Sequence, residues 1–249
     1  MFVFYLLFIL FLSSASAADH ATSYSHLWGG FSTSLVARSS AQRGNVARAA
    51  LDLDGTILPP GALFSFNELV GARDSMKGYR PAPMINERGG LTDIPGGGIC
   101  QLATTIYNAA LKAGLVIVER HPHSRQVSYV PPGRDATILS WRKDLKLRNP
   151  HSYPLLLRLE VSENRLTAGF WSLVDKPFQV KILSDVQAVD PQSLVANAVG
   201  QSELPSQAGG KGFSVVTRRL LIRDGVATKD VLSRDFYPPP SKIMGQQDP

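Results

Sequence analysis

The segment 95-PGGGICQLATTIYNAALKAG-114 has the most regular helical pattern in the chain. Its apolar stripe recurs at helical spacing and consists of Leu102, Ile106, Ala109 and Ala113. The opposite face carries Cys100, Thr104, Tyr107 and Leu111. Three consecutive glycines precede the pattern, and Gly114 provides a stop signal. We therefore predict a central helix that starts at Cys100 and packs against the rest of the protein on two faces.

The sequence on either side of this helix predicts an α+β fold. Upstream, 39-SSAQRGNVARAALDLDG-55 has apolar residues at helical spacing and ends on a glycine suited to the C′ position, which indicates another helix. Downstream, apolar runs alternate with turn signals, and the predicted strands are LVIVE (115–119), QVSYV (126–130), ATILSW (136–141), LKLRN (145–149), PLLLRLEV (154–161) and RLTAGFW (165–171). We expect an antiparallel sheet packed on the central helix, plus a small C-terminal β extension with a hairpin that turns at Asp224-Gly225.

The N-terminus predicts export. Residues 1–12, MFVFYLLFILFL, are continuously apolar, and small residues follow at Ala15 and Ala17, where a signal peptidase would cleave. The run is short for a membrane span, which needs about 20 apolar residues. Residues 1–17 are therefore predicted to be a signal peptide, although an uncleaved anchor stays open because no Lys or Arg precedes the run. We expect no membrane span after cleavage and a periplasmic or extracellular, cell-wall-associated location.

The charge of the chain indicates a class of partner. The 249 residues carry a formal net charge of +6, and no charged residue lies in 1–17, so cleavage would leave this charge unchanged. An excess of basic residues favours anionic envelope polymers or lipids, although the basic residues are scattered. No basic run interleaved with aromatic residues indicates nucleic-acid binding. No sequence feature indicates a cofactor.

Cys100 is the only cysteine, so it cannot form an internal disulfide, and an unpaired thiol in an exported protein calls for another explanation. A thiol in the first turn of a helix lies beside unpaired N–H groups and the positive end of the helix dipole, which both favour the thiolate. The glycines before it allow a substrate to approach closely. The backbone N–H groups of Cys100 and Gln101 are candidates to bind an oxyanion.

Two side chains downstream complete the pattern expected of a thiol enzyme. In 120-RHPHSRQVSYVPPGRDATI-138, His123 precedes one predicted strand and Asp135 opens the next. We predict Cys100 as the nucleophile, His123 as the base and Asp135 as the residue that orients the imidazole. The candidate substrate-binding residues are Gly97, Gly98, Gln101, Thr104, Tyr107 and His121.

Other interpretations of these residues stay open. Free cysteine is among the most buried residue types, so Cys100 could be an inert core thiol. Asp135 could serve only to cap the turn in PPGRD. His121 and His123 could bind a metal together with Cys100, but no further ligand cluster supports this, and we expect no metal. The triple glycine is not a phosphate loop, because no Gly-Lys-Ser/Thr follows it.

Four blocks of the chain resemble the VanW family, which is named for an accessory protein of B-type vancomycin-resistance clusters. The blocks are PPGALFSFNELVGARDSMKGYRPAPMI (59–85), GGGICQLATTIYNAAL (96–111), RHPHSRQVSYVPPGRDATI (120–138) and DLKLRN (144–149). The resemblance extends from about Gly30 to Trp171, and its most specific part is the triple-glycine Cys-Gln block. It implies a VanW-like domain at 18–175, a C-terminal β extension at 176–237 and a flexible tail at 238–249.

The resemblance implies a bacterial cell-envelope protein connected with peptidoglycan or glycopeptide resistance. It supplies no mechanism, but the order Cys, His, Asp is also similar to that in transglutaminase-like and papain-like thiol enzymes. We therefore predict a thiol hydrolase or acyltransferase that acts on peptidoglycan-related amide bonds, with peptidoglycan or another anionic envelope polymer as its partner. The alternative is a non-catalytic module that binds the cell wall or a partner protein.

Overall fold

The structure, a computed structural model, describes residues 24–87, 89–189 and 211–239. The predicted signal peptide and nearly all of the polar segment and tail that flank the C-terminal hairpin lie outside these ranges. The α-helices in the described residues are α1 (Ser40–Leu53), α2 (Phe66–Val70) and α3 (Ile99–Lys112), and a short 3₁₀ helix spans Ser75–Lys77. The strands are β1 (His26–Ser34), β2 (Ile57–Leu58), β3 (Leu63–Ser65), β4 (Pro81–Ile85), β5 (Leu91–Pro95), β6 (Val116–Glu119), β7 (Lys146–Arg148), β8 (Leu155–Val161), β9 (Arg165–Ser172), β10 (Gln179–Val189), β11 (Gly212–Arg223) and β12 (Val226–Tyr237).

Helix α3 is the centre of the fold. It begins at Ile99, one residue earlier than predicted, because Gly98 as the N-cap adopts a φ of 102° that only glycine accepts readily. Every residue from Ile99 to Leu111 is buried, so the helix is enclosed on all sides and not on two faces only. Its polar side chains can be buried because they form hydrogen bonds with other parts of the chain. The hydroxyl of Thr105, for example, hydrogen-bonds that of Thr33 in β1 at 2.9 Å.

One side of α3 packs on a four-stranded antiparallel sheet with the order β1-β9-β8-β2. Gly29 of β1 lies against the C-terminal turn of α3, where a Cβ atom would overlap the backbone of Ala109. Helix α1 covers α3 and β8 on the same side, and the predicted C′ residue Gly55 has a φ of 80°. The aromatic side chains Trp28 and Phe170 anchor this part of the core.

The remaining strands form smaller antiparallel sheets, β3-β7-β6, β4-β5 and β10-β11-β12. The predicted hairpin turn is present, with φ values of 51° at Asp224 and 77° at Gly225. Antiparallel sheets with few helices agree with the predicted α+β class. Within the described ranges, none of the helices is both long and apolar enough to span a bilayer.

Two predicted strands, 126–130 and 136–141, are wrong. Apart from isolated bridges at Thr137 and Leu139, these segments pair with no strand. The backbone just before the second segment and at its first residue instead binds polar side chains of α3: Asn108 donates to the Arg134 carbonyl at 2.7 Å, and the Ala136 N–H donates to Thr104 Oγ1 at 2.9 Å. Helix side chains thus replace a neighbouring strand as the hydrogen-bond partner.

Candidate functional site

The structure brings Cys100, His123 and Asp135 together at the N-terminal end of α3. His123 follows β6, Asp135 lies in the long loop before β7, and Nδ1 of His123 is 2.6 Å from Oδ2 of Asp135. This contact occupies Nδ1, so Nε2 is the ring nitrogen left for Cys100, which lines the same narrow cleft as His123. The thiol lies 3.5 Å from Thr137 Oγ1 and 3.6 Å from the Ile138 carbonyl oxygen. The arrangement has the connectivity that a nucleophile, a base and an orienting group require.

The neighbours of Cys100 favour its thiolate. Burial raises the pKa of the thiol, but the hydrogen bond and charge of His123, helped by the backbone of Ile138 and the hydroxyl of Thr137, lower the pKa to about 7. Burial likewise lowers the pKa of His123, but its hydrogen bonds to Asp135 and Cys100 raise the pKa to about 9. At a pH between the pKa of Cys100 and that of His123, the favoured state of the two side chains is a thiolate–imidazolium ion pair.

Asp135 is a buried carboxylate whose oxygens are all hydrogen-bonded. Oδ2 accepts from the backbone N–H of His123 at 2.7 Å as well as from its ring, and Oδ1 accepts from Arg120 at 2.9 Å and from the Tyr237 hydroxyl. Burial raises the pKa of Asp135, but the hydrogen bond from His123 and the charge of Arg120 lower it to about 2. The carboxylate therefore stays ionised and fixes the orientation of the imidazole.

The C-terminal sheet supplies groups that hold Asp135 in place. Arg120 donates to Asp235 of β12 at 2.6 Å, and the Tyr237 hydroxyl accepts the N–H of Gly133 at 3.0 Å while it donates to Asp135. No sequence pattern identified Arg120, Asp235 or Tyr237 as site residues. Since 102 residues separate Tyr237 from Asp135, no local sequence signal could have joined them.

A narrow cleft of about 40 Å³ reaches Cys100, whose side chain is 6% exposed. On one side the cleft continues into a groove of about 450 Å³, because Arg38 and Tyr129 line both. On the other side it continues into a pocket of about 150 Å³, because Met84 and His123 line both. The cleft that reaches Cys100 therefore shares walls with both the groove and the pocket.

The predicted glycine contacts have different roles. Gly98 lines the cleft, where its positive φ begins the helix that carries Cys100. Gly97 is buried instead against β4, and a Cβ atom there would overlap the carbonyl of Ala82. Its lack of a side chain thus allows β4 to pack on the helix terminus.

The other predicted contacts, Thr104, Tyr107 and His121, do not line the cleft at Cys100. Thr104 is buried and bonds the backbone of the loop that carries Asp135. Tyr107 is buried beneath Arg120, whose guanidinium carbon lies 5.5 Å from its ring centre. His121 is partly exposed and pairs with Glu119 at 3.0 Å. Their contacts give these residues packing or surface roles in the structure.

The oxyanion donors differ from those predicted. The backbone N–H of Gln101 donates to the Gly98 carbonyl at 3.0 Å, and its side-chain amide donates to Thr33 at 3.0 Å and to the Ser34 carbonyl at 2.8 Å. Gln101 therefore has no N–H left for a ligand. The N–H of Cys100 has no acceptor within the described residues, so it is the helix donor available to an oxyanion.

A metal site is not formed by these residues. His121 faces Glu119, whereas His123 faces Asp135 and Cys100. In the part of the chain that the structure describes, no group of three or more His, Cys, Asp or Glu side chains is placed to hold a metal ion.

Comparisons with known proteins agree with the resemblance seen in the sequence. The profile of the family described as "VanW like protein" matches residues 41–171. Vancomycin B-type resistance protein VanW of Enterococcus faecalis is 30% identical over 172 residues, which cover 67% of this chain and 56% of that protein. The Bacillus subtilis protein named "Uncharacterized protein YoaR" is 41% identical over 130 residues, which cover 52% of this chain and 43% of that protein.

The chain thus spans about half the length of these two relatives. No solved structure matches it. Because the family profile covers more than half of the chain, this protein belongs to the VanW-like family.

Proposed function

We propose that this protein is an exported thiol hydrolase or acyltransferase that acts on amide bonds of peptidoglycan or a related envelope polymer. The observation that carries the proposal is the contact chain from Cys100 through His123 to Asp135, in which the pKa of the thiol falls to about 7 although the thiol is buried. A core thiol with apolar neighbours would have a raised pKa instead. The link to the envelope rests on the family, one member of which is named for vancomycin resistance.

In the proposed reaction, the Cys100 thiolate attacks the carbonyl carbon of the amide, and its own backbone N–H binds the oxyanion. His123 gives its Nε2 proton to the leaving amine as the C–N bond breaks, which leaves a thioester on Cys100. A hydrolase then uses neutral His123 to deprotonate a water molecule, which releases a carboxylic acid. An acyltransferase uses an amine in place of water and releases a new amide. Asp135 orients the imidazole throughout.

A non-catalytic module that binds the cell wall is the second candidate. The observation that favours it is the limited access to the thiol, since the cleft has a volume of only about 40 Å³. The walls of this cleft include Met84 of β4 and Tyr129. A binding module would use the wider groove of about 450 Å³ instead.

The test is a reaction of the full chain with muropeptides released from purified peptidoglycan. Mass spectrometry should detect a cleaved or transferred amide, and an acid quench should trap an acyl adduct on Cys100. Cys100→Ala should remove both signals while circular dichroism shows an unchanged fold, because the thiol forms only long hydrogen bonds, with the Ile138 carbonyl at 3.6 Å and Thr137 Oγ1 at 3.5 Å. Activity that survives in Cys100→Ala would contradict the thiol mechanism. Binding of muropeptides without product or adduct would favour the second candidate.

A further inference from the structure

The groove beside the thiol is basic. It has a volume of about 450 Å³, and its charged lining residues are Arg38 and Arg125. Among the described residues that line it, none is acidic. The groove continues into the cleft at Cys100, so a ligand that occupies it extends toward the nucleophile.

Arg38 is held in a defined orientation at the junction of groove and cleft. Its Nε donates to Oε1 of Gln101 at 2.7 Å, and its guanidinium carbon lies 5.0 Å from the centre of the Tyr129 ring. Gln101 is itself fixed by two bonds from its amide nitrogen. The terminal nitrogens of Arg38 have no hydrogen-bond partner in the ranges that the structure describes. Because Arg38, Gln101 and Cys100 line the same narrow cleft, this guanidinium is anchored in the wall of the nucleophile's cleft.

Arg125 adds a second positive charge two residues after His123. Its side chain is half-buried, and the structure describes no acidic partner for it. The pocket on the other side of the cleft has a different character, since Glu87 and Lys143 there carry opposite charges. The net positive charge around the cleft therefore lies on the side of the groove, at Arg38 and Arg125.

We infer that Arg38 and Arg125 form a carboxylate-binding subsite, and that the substrate is a peptide with a free carboxylate close to its scissile amide. A planar guanidinium whose terminal nitrogens are free binds a carboxylate through two parallel N–H···O bonds. The description of the substrate as a peptide amide rests on the proposed function. The subsite itself rests on the groove and on the two arginines.

Iodoacetate and iodoacetamide test the subsite, because both alkylate a thiol but only iodoacetate carries a carboxylate. The rates are measured on the full chain near pH 8 and about 0.15 M salt, where long-range attraction is screened. The ratio of the iodoacetate rate to the iodoacetamide rate should exceed the ratio for glutathione by about tenfold. Arg38→Gln and Arg125→Gln should each lower the ratio several-fold, and the iodoacetamide rate of each variant serves as its own reference.

Arg142→Gln is the matched control, because Arg142 is 72% exposed, lies outside the groove and pairs with Glu87 at 3.8 Å. It should leave the ratio unchanged. A wild-type ratio equal to that of glutathione, or an equal fall in Arg142→Gln, would overturn the subsite. The iodoacetamide rate separately reports thiol activation, so an activated thiol with an ordinary ratio would refute the subsite and leave the proposed function standing.

Protection of Cys100 from iodoacetamide identifies the recognised group. Acetyl-alanyl-alanine should protect, whereas its C-terminal amide should not. Protection by the α-amide of acetyl-glutamate would show that a side-chain carboxylate also fits. Equal protection by inorganic phosphate would overturn the assignment to a carboxylate, because the site would then select charge alone.

Discussion

Asp135→Asn should make the Cys100 thiol less acidic while the protein stays folded. The change removes the negative charge that stabilises the His123 imidazolium but keeps the shape of the side chain, and Arg120 retains its partner Asp235. A hydrogen bond to a charged group contributes about 1.5–3 kcal/mol, and one pKa unit corresponds to about 1.4 kcal/mol. The pKa of the thiol should therefore rise from about 7 by roughly 1–2 units.

The assay is the rate of iodoacetamide alkylation as a function of pH, with the modified residue identified by mass spectrometry. Asp144→Asn is a matched control, because Asp144 is also a buried carboxylate but bonds Ser65 and the N–H of Asn67 instead of His123. It should lower stability and leave the midpoint of the alkylation profile unchanged. An unchanged midpoint in Asp135→Asn, or an equal shift in Asp144→Asn, would refute the role given to Asp135.

Three further predictions concern the structure around the site. Tyr237→Phe should lower the free energy of unfolding in urea by about 1–3 kcal/mol, because the Asp135 carboxylate and the Gly133 N–H each lose one hydrogen-bond partner. An unchanged urea midpoint would contradict this. Gly97→Ala should lower the melting temperature, because the added Cβ overlaps the backbone of β4. Gly44→Ala should raise the melting temperature, because nothing lies within 4 Å of its added Cβ. Equal effects of the two changes would be inconsistent with the packing. Cys100→Ala should lower the pKa of His123 below its value of about 9, because the thiolate helps to raise that pKa. NMR titration of the ring protons of His123 would measure the change, and a pKa that stays near 9 would exclude the ion pair.

Much of the fold was predictable where the signal is local. The apolar stripe of α3, the glycine that ends it and the Asp224-Gly225 hairpin turn each lie within a few residues of the structure they specify. The strand predictions at 126–130 and 136–141 failed for a non-local reason. Their apolar residues match a strand pattern. In the structure, side chains of α3 instead hydrogen-bond the backbone at Arg134, between the two segments, and at Ala136, where the second segment begins.

The candidate site was predictable in part. Cys100, His123 and Asp135 stand out because their residue types and order suit thiol chemistry, and the structure brings them into contact. Arg38 and Tyr237 were missed because they meet the site across 63 and 102 residues of chain. Such contacts depend on how the sheets pack around α3, and no local pattern encodes them.

The central claim is that His123 holds Cys100 as a thiolate, and the pH profile of Cys100 alkylation tests it most directly. In the native full-length protein, the rate of reaction with iodoacetamide should rise with a midpoint near pH 7, since the pKa of the thiol is lowered to about 7. In His123→Ala the midpoint should rise toward the free-cysteine value of about 8.5, because burial, the largest influence on the thiol, is then opposed only by the bonds of Thr137 and the Ile138 backbone. A wild-type midpoint at that ordinary value, or a thiol that reacts only after unfolding, would contradict the account and leave Cys100 as a core residue.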